Sequence, residues 1–176
     1  MTAPIDSLEI VHRMSLAISR ATDLQDVYNL LLSQTIDLLK VEKASIMIYD
    51  ENISGLRIVA AKGMEQSMME RAVVRIGEGI SGRVFSSPEP LLVNDIRVEE
   101  LGPSRDRYKT NSLMSAPVTC FPMKMGEETL GVINVTDRVD GRAFTQDDLK
   151  LLTTISNQAA AYLHICKLSE KLQAGE

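Results

Sequence analysis

The chain has 176 residues, 44% of them hydrophobic, which is enough for one domain with its own core and short extensions. Its net charge is −5, so it lacks the basic footprint of proteins that bind nucleic acids or acidic membranes. The apolar runs are too short to span a bilayer, and the chain does not open on a basic and then apolar signal region. The two cysteines form no disulfide or metal framework, so we expect a cytoplasmic protein.

Two helices are predicted at the start of the chain. The first covers residues 7–20, and its apolar stripe is wide for a short terminal helix. The second covers residues 23–40 and has an ordinary core-facing stripe of leucine and valine. Thr22 followed by Gln25 is typical of a capping box, which predicts that Thr22 caps this second helix.

Short strands and helices follow in the middle of the chain. Residues 44–50 and 55–62 predict a hairpin around a turn that begins with Asp50. The next predicted elements are a methionine-rich helix at 66–72, a strand at 73–76, one to two helical turns at 80–85 and a strand at 91–93. Two prolines, Pro88 and Pro90, end the second of these helices.

Residues 94–111 form a polar connection that is long for a compact domain. Long loops that are ordered are usually lids or binding loops, and long loops that are not ordered are usually linkers. This loop interleaves acidic side chains with four basic ones, Arg97, Arg105, Arg107 and Lys109. As a lid it would offer cations to an anionic ligand, whereas the near cancellation of its charges favours a solvated loop.

A strand–turn–strand pattern covers residues 113–135. Apolar runs at 113–123 and 129–135 flank a polar turn at 126–128, where a glycine is typical of a hairpin. Apolar side chains point to both sides of each arm, so we expect other elements to cover both faces of this hairpin.

The C-terminal helix is predicted to begin after Thr145 and to continue to about residue 173. One apolar seam has heptad spacing and consists of Leu151, Ile155, Gln158, Tyr162, Ile165, Ser169 and Leu172. A second stripe beside it consists of Leu152, Ala159, Leu163 and Cys166. One stripe can cover the protein's own sheet while the other meets a partner, so we expect a parallel homodimer through helices 7–20 and 146–173. Alternatively, a monomer buries both stripes.

Four segments together resemble the GAF domain family: residues 77–96 (GEGISGRVFSSPEPLLVNDI), 112–118 (SLMSAPV), 126–138 (GEETLGVINVTDR) and 144–163 (FTQDDLKLLTTISNQAAAYL). The resemblance rests on their order and spacing and assigns residues 22–163 to the GAF domain. It implies an α+β, profilin-like fold with a central antiparallel sheet and the N- and C-terminal helices on one face. Short helices and a long loop would cover a pocket on the other face. Residues 1–21 would form a dimerisation or signalling helix, and residues 164–176 would extend the last helix.

The resemblance also implies a function, because GAF domains are sensor or dimerisation modules of signalling proteins. We expect a non-catalytic domain that binds an unidentified small molecule and signals through its terminal helices in a homodimer. The signal would reach a partner or an output domain such as a kinase, a cyclase or a transcriptional activator. Neither a ligand nor a cofactor is named by the sequence. The pocket residues that the resemblance implies are Met47, Tyr49, Ile80, Val84, Asp95, Tyr108, Ser112, Met114 and Asn134.

Two other functions stay open. One is a purely structural dimerisation module that fills its pocket with its own side chains, which nine methionines make plausible. The other is reduction of methionine sulfoxide, for which GAF relatives use several cysteines. Here one cysteine, Cys120, lies in a suitable region, so we expect neither catalytic residues nor a metal site.

Two motifs bear on nucleotide binding. Residues 77–82 match G-x-G-x-x-G, but the helix that follows is too short for a dinucleotide crossover, which favours a glycine-shaped turn. The cyclic-nucleotide signature of GAF domains falls on positions 137, 138, 144, 148 and 149, where Phe144 and Asp148 are kept and the Asn, Lys and final Glu are replaced. The resemblance still implies a brace between Arg138 and Asp148.

Overall fold

The computed structural model describes residues 7–20, 23–87, 89–93, 118–125 and 128–174. The helices in these ranges are α1 (Ser7–Ile18), α2 (Leu24–Leu39), α3 (Gln66–Arg71), α4 (Gly79–Ser86) and α5 (Gln146–Ala174). The strands are β1 (Val41–Asp50), β2 (Gly55–Lys62), β3 (Val73–Arg75), β4 (Leu91–Val93), β5 (Val118–Met125) and β6 (Glu128–Arg138).

The six strands form one sheet in the order β3-β2-β1-β6-β5-β4. Each neighbouring pair is antiparallel, so the described strands contain no parallel crossover. The predicted α+β fold with a central antiparallel sheet is therefore confirmed. The hairpin predicted at 113–135 corresponds to β5 and β6, although residues 113–117 and 126–127 lie outside the described ranges.

Side-chain alternation along β1 assigns its residues to two faces of the sheet. Ala44, Ile46 and Ile48 point to one face, and Met47 and Tyr49 point to the other. The register between β1 and β6 is uninterrupted, and this alternation holds from Ala44 onward, whereas Val41 at the start of β1 belongs to the same cluster as Ala44, Ile46 and Ile48. In β2 the register shifts opposite Ile46 and Met47, because Val59 is an extra residue.

Helices α2 and α5 pack against the first of these faces. Their buried side chains, among them Leu31 and Ile155, join Ile46 and Ile133 of the sheet in one cluster, which we call the helix-side core. Full burial of a side chain of this size contributes about 1.5–3 kcal/mol, so this cluster supplies most of the driving force for folding. Helix α1 contacts both α2 and α5.

Helix α4 lies over the opposite face of the sheet. It contributes to a second apolar group, the α4-side cluster, in which the buried members are Met47, Leu56, Val74, Ile80, Val84 and Val132. Tyr49, Ile58, Phe85 and Leu91 are partly buried against them. Both faces of the central strands are thus covered, as the two-sided apolar pattern predicts.

The cap predicted for α2 is wrong by one residue. The N-cap is Asp23, which has an extended backbone and whose carboxylate accepts from the backbone N–H of Asp26 at 2.8 Å, whereas Thr22 lies outside the described residues. Aspartate and threonine are both good caps, and the local hydrogen bond selects between them. At α5 the predicted cap agrees, because Thr145 Oγ1 accepts from the backbone N–H of Asp148 at 3.2 Å.

Candidate functional site

The α4 side of the sheet brings together five of the nine residues predicted for the pocket. Met47 and Tyr49 come from β1, Asn134 from β6, and Ile80 and Val84 from α4. The four apolar and aromatic residues of this set belong to the α4-side cluster. The remaining four predicted residues, Asp95, Tyr108, Ser112 and Met114, lie outside the described residues.

Asn134 is the centre of a short polar relay on this face. Its amide Nδ2 donates to Ser45 Oγ of β1 at 3.3 Å, and its Oδ1 accepts from Ser81 Oγ of α4 at 3.1 Å. Both serines are buried, whereas Asn134 is half-buried. An amide offers two N–H donors and two acceptor lone pairs, so Asn134 keeps one of each after these two bonds.

The two serines were not among the predicted residues, although simple signals point to each of them. Ser45 precedes Met47 by two positions on the same strand and therefore shares its face. Ser81 follows Ile80 in the first turn of α4. The hydrogen-bond partner of Ser81 depends on how α4 crosses the sheet, and local sequence patterns do not determine that crossing.

One end of the α4-side cluster is aromatic. The rings of Tyr49 and Phe85 are stacked, with centroids 5.3 Å apart and an interplanar angle of 21°. Both rings are half-buried, so they join the sheet to α4 and keep part of their surface available for contact.

The G-x-G-x-x-G segment forms the turn that places α4. Gly77 and Gly79 have φ values of 81° and 58°, in the left-handed region that favours glycine. A Cβ added at Gly82 would lie 2.2 Å from the carbonyl oxygen of Arg75, so close approach of the backbone requires this glycine. The motif therefore forms a turn before a short helix that packs on an antiparallel sheet. A dinucleotide fingerprint instead joins a strand of a parallel sheet to a crossover helix.

An ion pair joins the beginning of β1 to the end of β6. Lys43 is two residues before Ser45 on β1, and its Nζ is 2.8 Å from Asp137 Oδ2 at the end of β6. The other carboxylate oxygen of Asp137 is buried and accepts no hydrogen bond within the described part of the chain. From Ser45 to Tyr49 the α4-side face changes from hydroxyl and amide to apolar and aromatic.

The next residue along β6, Arg138, joins the sheet to α5. Its Nη1 donates to Asp148 Oδ2 at 2.6 Å, so the predicted brace is present. Its Nε and Nη2 donate to Asp140 at 3.0 and 3.1 Å, and its guanidinium lies 5.7 Å from the centre of the Phe144 ring. The hydrogen bond with Asp140 is the largest cause that raises the pKa of Arg138, and the same bond lowers the pKa of Asp140.

The heptad seam of α5 is divided between the core and the surface. Ile155 is fully buried in the helix-side core, and Leu151 and Tyr162 pack partly against it, whereas Ile165 and Leu172 are 60% and 77% exposed. Of the second stripe, Leu152, Ala159 and Leu163 are buried, so this stripe covers the protein's own sheet together with Ile155. The homodimer stays a prediction. On α1, Leu16 is also exposed.

Cysteine, histidine and carboxylate side chains are the groups that redox and metal chemistry would use. No group of three or more His, Cys, Asp or Glu side chains in that part of the chain could hold a metal ion. Cys166 is a half-buried free thiol on α5. The burial of Tyr162 raises the pKa of that residue, and the nearby Cys166 raises it further. Cys120 of β5 is opposite Asn134 in the register of the sheet.

Among the helices that the structure describes, none is long and apolar enough to cross a membrane.

The family profile described as GAF domain matches residues 21–164. The nitrogen fixation protein AnfA of Azotobacter vinelandii is 22% identical over 161 residues, which are 92% of this chain and 30% of that protein. A Nif-specific regulatory protein of Herbaspirillum seropedicae is 29% identical over 106 residues, which are 58% of this chain and 19% of that protein. The chain therefore spans 30% or less of the length of these two curated relatives.

Solved structures show the same fold. The GAF domain of the Acinetobacter phosphoenolpyruvate-protein phosphotransferase superposes with a TM-score of 0.79 at 19% identity, covering 97% of this chain and 99% of that one. A free methionine-R-sulfoxide reductase of Neisseria meningitidis, solved with its substrate, gives a TM-score of 0.74 at 12% identity, covering 93% and 91%. Identities this low establish a common fold only. Together with the family match, they show that the chain belongs to the GAF domain family.

Proposed function

We propose that this GAF domain is a non-catalytic sensor that binds a small molecule on the α4 side of its sheet and signals through its terminal helices. The observation that carries the proposal is the position of two residues on β6. Asn134 is the centre of the polar relay, and Arg138, four residues later, is bonded to the first turn of α5. A ligand that moves β6 at Asn134 would therefore act on the start of α5.

Helix α4 is the element that a ligand would displace or lock. The polar link from α4 to β6 runs through Ser81, whose hydroxyl donates to Asn134 at 3.1 Å. A ligand that donates a hydrogen bond to Asn134 Oδ1 competes with the Ser81 hydroxyl for that oxygen. The ligand-bound and ligand-free states therefore differ in the hydrogen bond that links α4 to β6. A ligand shifts such an equilibrium only as far as its affinity differs between the two states. We place the ligand against Met47, Tyr49, Ile80, Val84 and Asn134, with Asp95, Tyr108, Ser112 and Met114 as further contacts.

A thermal-shift screen with cyclic nucleotides, 2-oxo acids and amino acids tests ligand binding. A ligand present at 100 times its Kd stabilises the domain by about 2.7 kcal/mol, which is a readily measured rise in Tm. Asn134→Ala should reduce the rise for the active compound, whereas Asn157→Ala, at an exposed position of α5, should leave it unchanged. If no compound class raises Tm, the sensor proposal fails.

The signalling step requires a homodimer through α1 and the exposed end of α5. Leu16, Ile165 and Leu172 expose apolar surface there, and exposed apolar surface of this kind favours association. Sedimentation equilibrium at micromolar concentration should show a dimer, and Ile165→Glu with Leu172→Glu should give a monomer. Val139→Glu, at an exposed site between β6 and α5, is the control and should remain dimeric. A wild-type monomer contradicts this part of the proposal.

In a longer protein, the signal would pass from α5 to an output domain such as a kinase, a cyclase or a transcriptional activator. Support comes from the Nif-specific regulatory protein of Herbaspirillum seropedicae. The region that matches this chain is 19% of that protein, so most of its length lies outside the matched region.

A purely structural dimerisation module is the second candidate, and one observation favours it. Met47 and Val132 of the sheet and Ile80 and Val84 of α4 are all buried in one cluster, so these side chains fill much of the space beneath α4. Hydrogen exchange distinguishes the two candidates. A sensor gains protection of the α4 amides when the active compound of the screen is added, whereas a self-filled module keeps the same exchange rates with every compound.

Catalysis of methionine sulfoxide reduction is the alternative that we disfavour, and it is directly testable. The likeness to the Neisseria reductase supports the fold, and Cys120 is one thiol where such enzymes use several. We expect no reduction of free methionine sulfoxide by the wild-type protein. Activity that disappears in Cys120→Ser would replace the sensor proposal with an enzymatic one.

A further inference from the structure

We infer that the extra residue of β2, Val59, is a joint that couples the α4 side of the sheet to the first turn of α2. The inference deepens the proposed function, because it gives the candidate site a second route to the terminal helices besides the route from β6 to α5. Two observations carry it: the register shift between β1 and β2, and a hydrogen bond from α2 to the carbonyl oxygen of Val59.

Val59 lies between two residue pairs that belong to opposite faces of the sheet. Before it, Met47 is paired with Ile58, and both belong to the α4-side cluster. After it, Ile46 is paired with Ala60, and both belong to the helix-side core. Because Ile58 and Val59 are consecutive, a displacement of Ile58 on the α4 side acts directly on the backbone of Val59.

The pairing of β2 with β1 does not require the extra residue. Consecutive residues of a strand point to opposite faces, so Ile58 and Ala60 would keep their faces and their partners if Val59 were absent. The bulge is therefore not needed to place either neighbour. Bulges are over-represented next to functional sites, where the extra residue leaves the ladder and the strand bends.

Val59 is held by the beginning of α2. Its carbonyl oxygen accepts from Gln25 Nε2 at 3.1 Å, a bond between residues that are 34 positions apart. Its side chain packs against the helix-side core, as Leu24 and Tyr28 of α2 also do. Gln25 Nε2 also donates to Asn29 Oδ1, one turn farther along the helix, at 3.3 Å, and the two N–H groups of the amide suffice for both bonds.

The first turn of α2 is the place where a movement of the bulge can reach the N-terminal helix. The N-cap Asp23 precedes Gln25 by two residues and accepts from the backbone N–H groups of Asp26 and Val27, at 2.8 and 3.3 Å. Helix α1 ends at Ile18, shortly before this cap, and packs on both α2 and α5. A shift of the bulge carbonyl away from Gln25 would loosen this first turn and the contact of α1 with it.

Hydrogen exchange at the Asp26 and Val27 amides tests the joint without any ligand. Amides at the first turn of a helix exchange by local opening, so a loss of global stability does not by itself change their rates. Gln25→Met removes the donor to Val59 and keeps the length of the side chain, so both amides should exchange at least about threefold faster. Ser33→Ala, at an exposed position farther along α2, is the control and should leave both rates nearly unchanged.

Deletion of Val59 tests the bulge itself. The shortened strand keeps the alternation of Ile58 and Ala60, so the domain should fold with a regular ladder between β1 and β2. The first-turn amides of α2 should exchange faster by the same factor as in Gln25→Met. Adding Gln25→Met to the deletion should have no further effect, because the carbonyl that it binds is gone.

Space created on the α4 side tests the coupling. Met47→Ala removes the side chain opposite Ile58, so Ile58 should move toward the vacated space and draw the bulge carbonyl away from Gln25. The same two amides should then exchange at least about threefold faster, and this effect should vanish when Gln25→Met is already present. Val74→Ala creates space in the same cluster but is opposite Leu56, away from the bulge, and should leave the rates unchanged.

Three results would overturn the inference. The first is equal exchange in the wild type and Gln25→Met, and the second is an effect of Met47→Ala that persists in the double variant. The third is a folded Met47→Ala variant with wild-type rates at both amides. If Met47→Ala or the deletion does not fold, Met47→Leu is compared in the same way through the chemical shifts of these amides. None of these results bears on ligand binding, and a thermal-shift screen without a hit leaves the joint standing, so the inference and the proposed function fail separately.

Discussion

Arg138 and Asp148 form the contact between the central sheet and the last helix, with Nη1 of the arginine 2.6 Å from Oδ2 of the aspartate. The same Asp148 oxygen accepts from the backbone N–H and the hydroxyl of Thr145, at 2.7 and 2.8 Å. The carboxylate of Asp148 therefore completes the cap of α5 and also accepts a hydrogen bond from the guanidinium of Arg138. Both side chains are less than one-fifth exposed, at 16% and 19%, so salt screens this pair less than a surface pair.

Replacing Arg138 should loosen this contact and destabilise the domain. We expect Arg138→Met to lower the free energy of unfolding by about 1–3 kcal/mol, because Asp148 keeps its partly buried position and loses its charged donor. Arg138→Lys should have a smaller effect, since an ammonium can keep one of the bonds but cannot fork onto Asp140. Urea denaturation measures both, with Arg142→Met, at an exposed side chain, as the control. Equal stability of Arg138→Met and wild type would contradict this account.

Gly82 should tolerate no side chain. In Gly82→Ala the added Cβ would meet the carbonyl oxygen of Arg75 at 2.2 Å, and backbone on both sides leaves little room to adjust. We expect a loss of about 2 kcal/mol even after the better helix propensity of alanine is included. Gly141→Ala provides a contrast, because Gly141 has a φ of 66° and open space around it. Its cost should be about 1 kcal/mol, from the backbone conformation alone. The prediction fails if Gly82→Ala is the milder of the two.

The Ser81 hydroxyl should contribute measurably to stability in the absence of ligand. Ser81→Ala removes the donor to Asn134 Oδ1 and should cost about 1 kcal/mol, because the amide oxygen remains partly buried. Ser86→Ala, on the same helix, removes an exposed bond to its own turn and should change stability by less than about 0.5 kcal/mol. Chemical denaturation of the two variants side by side gives the comparison. Similar values for both would show that the relay does not hold α4.

Acid should remove the contribution of Asp140. The hydrogen bond from Arg138 holds the pKa of Asp140 below its ordinary value of 3.8. A carboxyl group whose pKa is depressed by folding stabilises the native state above its unfolded pKa, and this stabilisation is lost as the pH falls through the folded pKa. The difference in unfolding free energy between wild type and Asp140→Asn should therefore be constant above about pH 5 and shrink below pH 4. A difference that grows on acidification would have the wrong sign.

The secondary structure was largely readable from local patterns. Strands 55–62 and 91–93 have the bounds predicted for them, and the helices differ from prediction by one or two residues at their ends. β1 begins three residues earlier than predicted, at Val41, and β6 continues to Arg138. Apart from Val41, these added residues are polar or charged, and they are strand residues because β1 and β6 pair with each other between Val41–Ile48 and Gly131–Arg138. Such pairing is a long-range property that a local pattern does not contain.

The candidate site was predicted in part, for a similar reason. Met47, Tyr49, Ile80, Val84 and Asn134 follow from the family resemblance and lie together on one side of the sheet. Ser45 and Ser81 were not predicted as site residues, because single polar residues in strands and turns resemble ordinary surface positions. Their contacts join residues that are far apart in the sequence, 53 positions in the case of Ser81 and Asn134.

By itself the sequence determined the order of helices and strands, the two-sided burial of the central hairpin and the membership of the GAF domain family. These properties depend on the spacing of apolar residues and on glycine at turns, which are local and repeat along the chain. Tertiary structure alone decided that Asp137 bonds to Lys43 and that Ser81 of α4 bonds to Asn134. The reason is physical: the two residues of each pair belong to elements that are far apart in the sequence and meet only when the sheet forms and α4 packs on it.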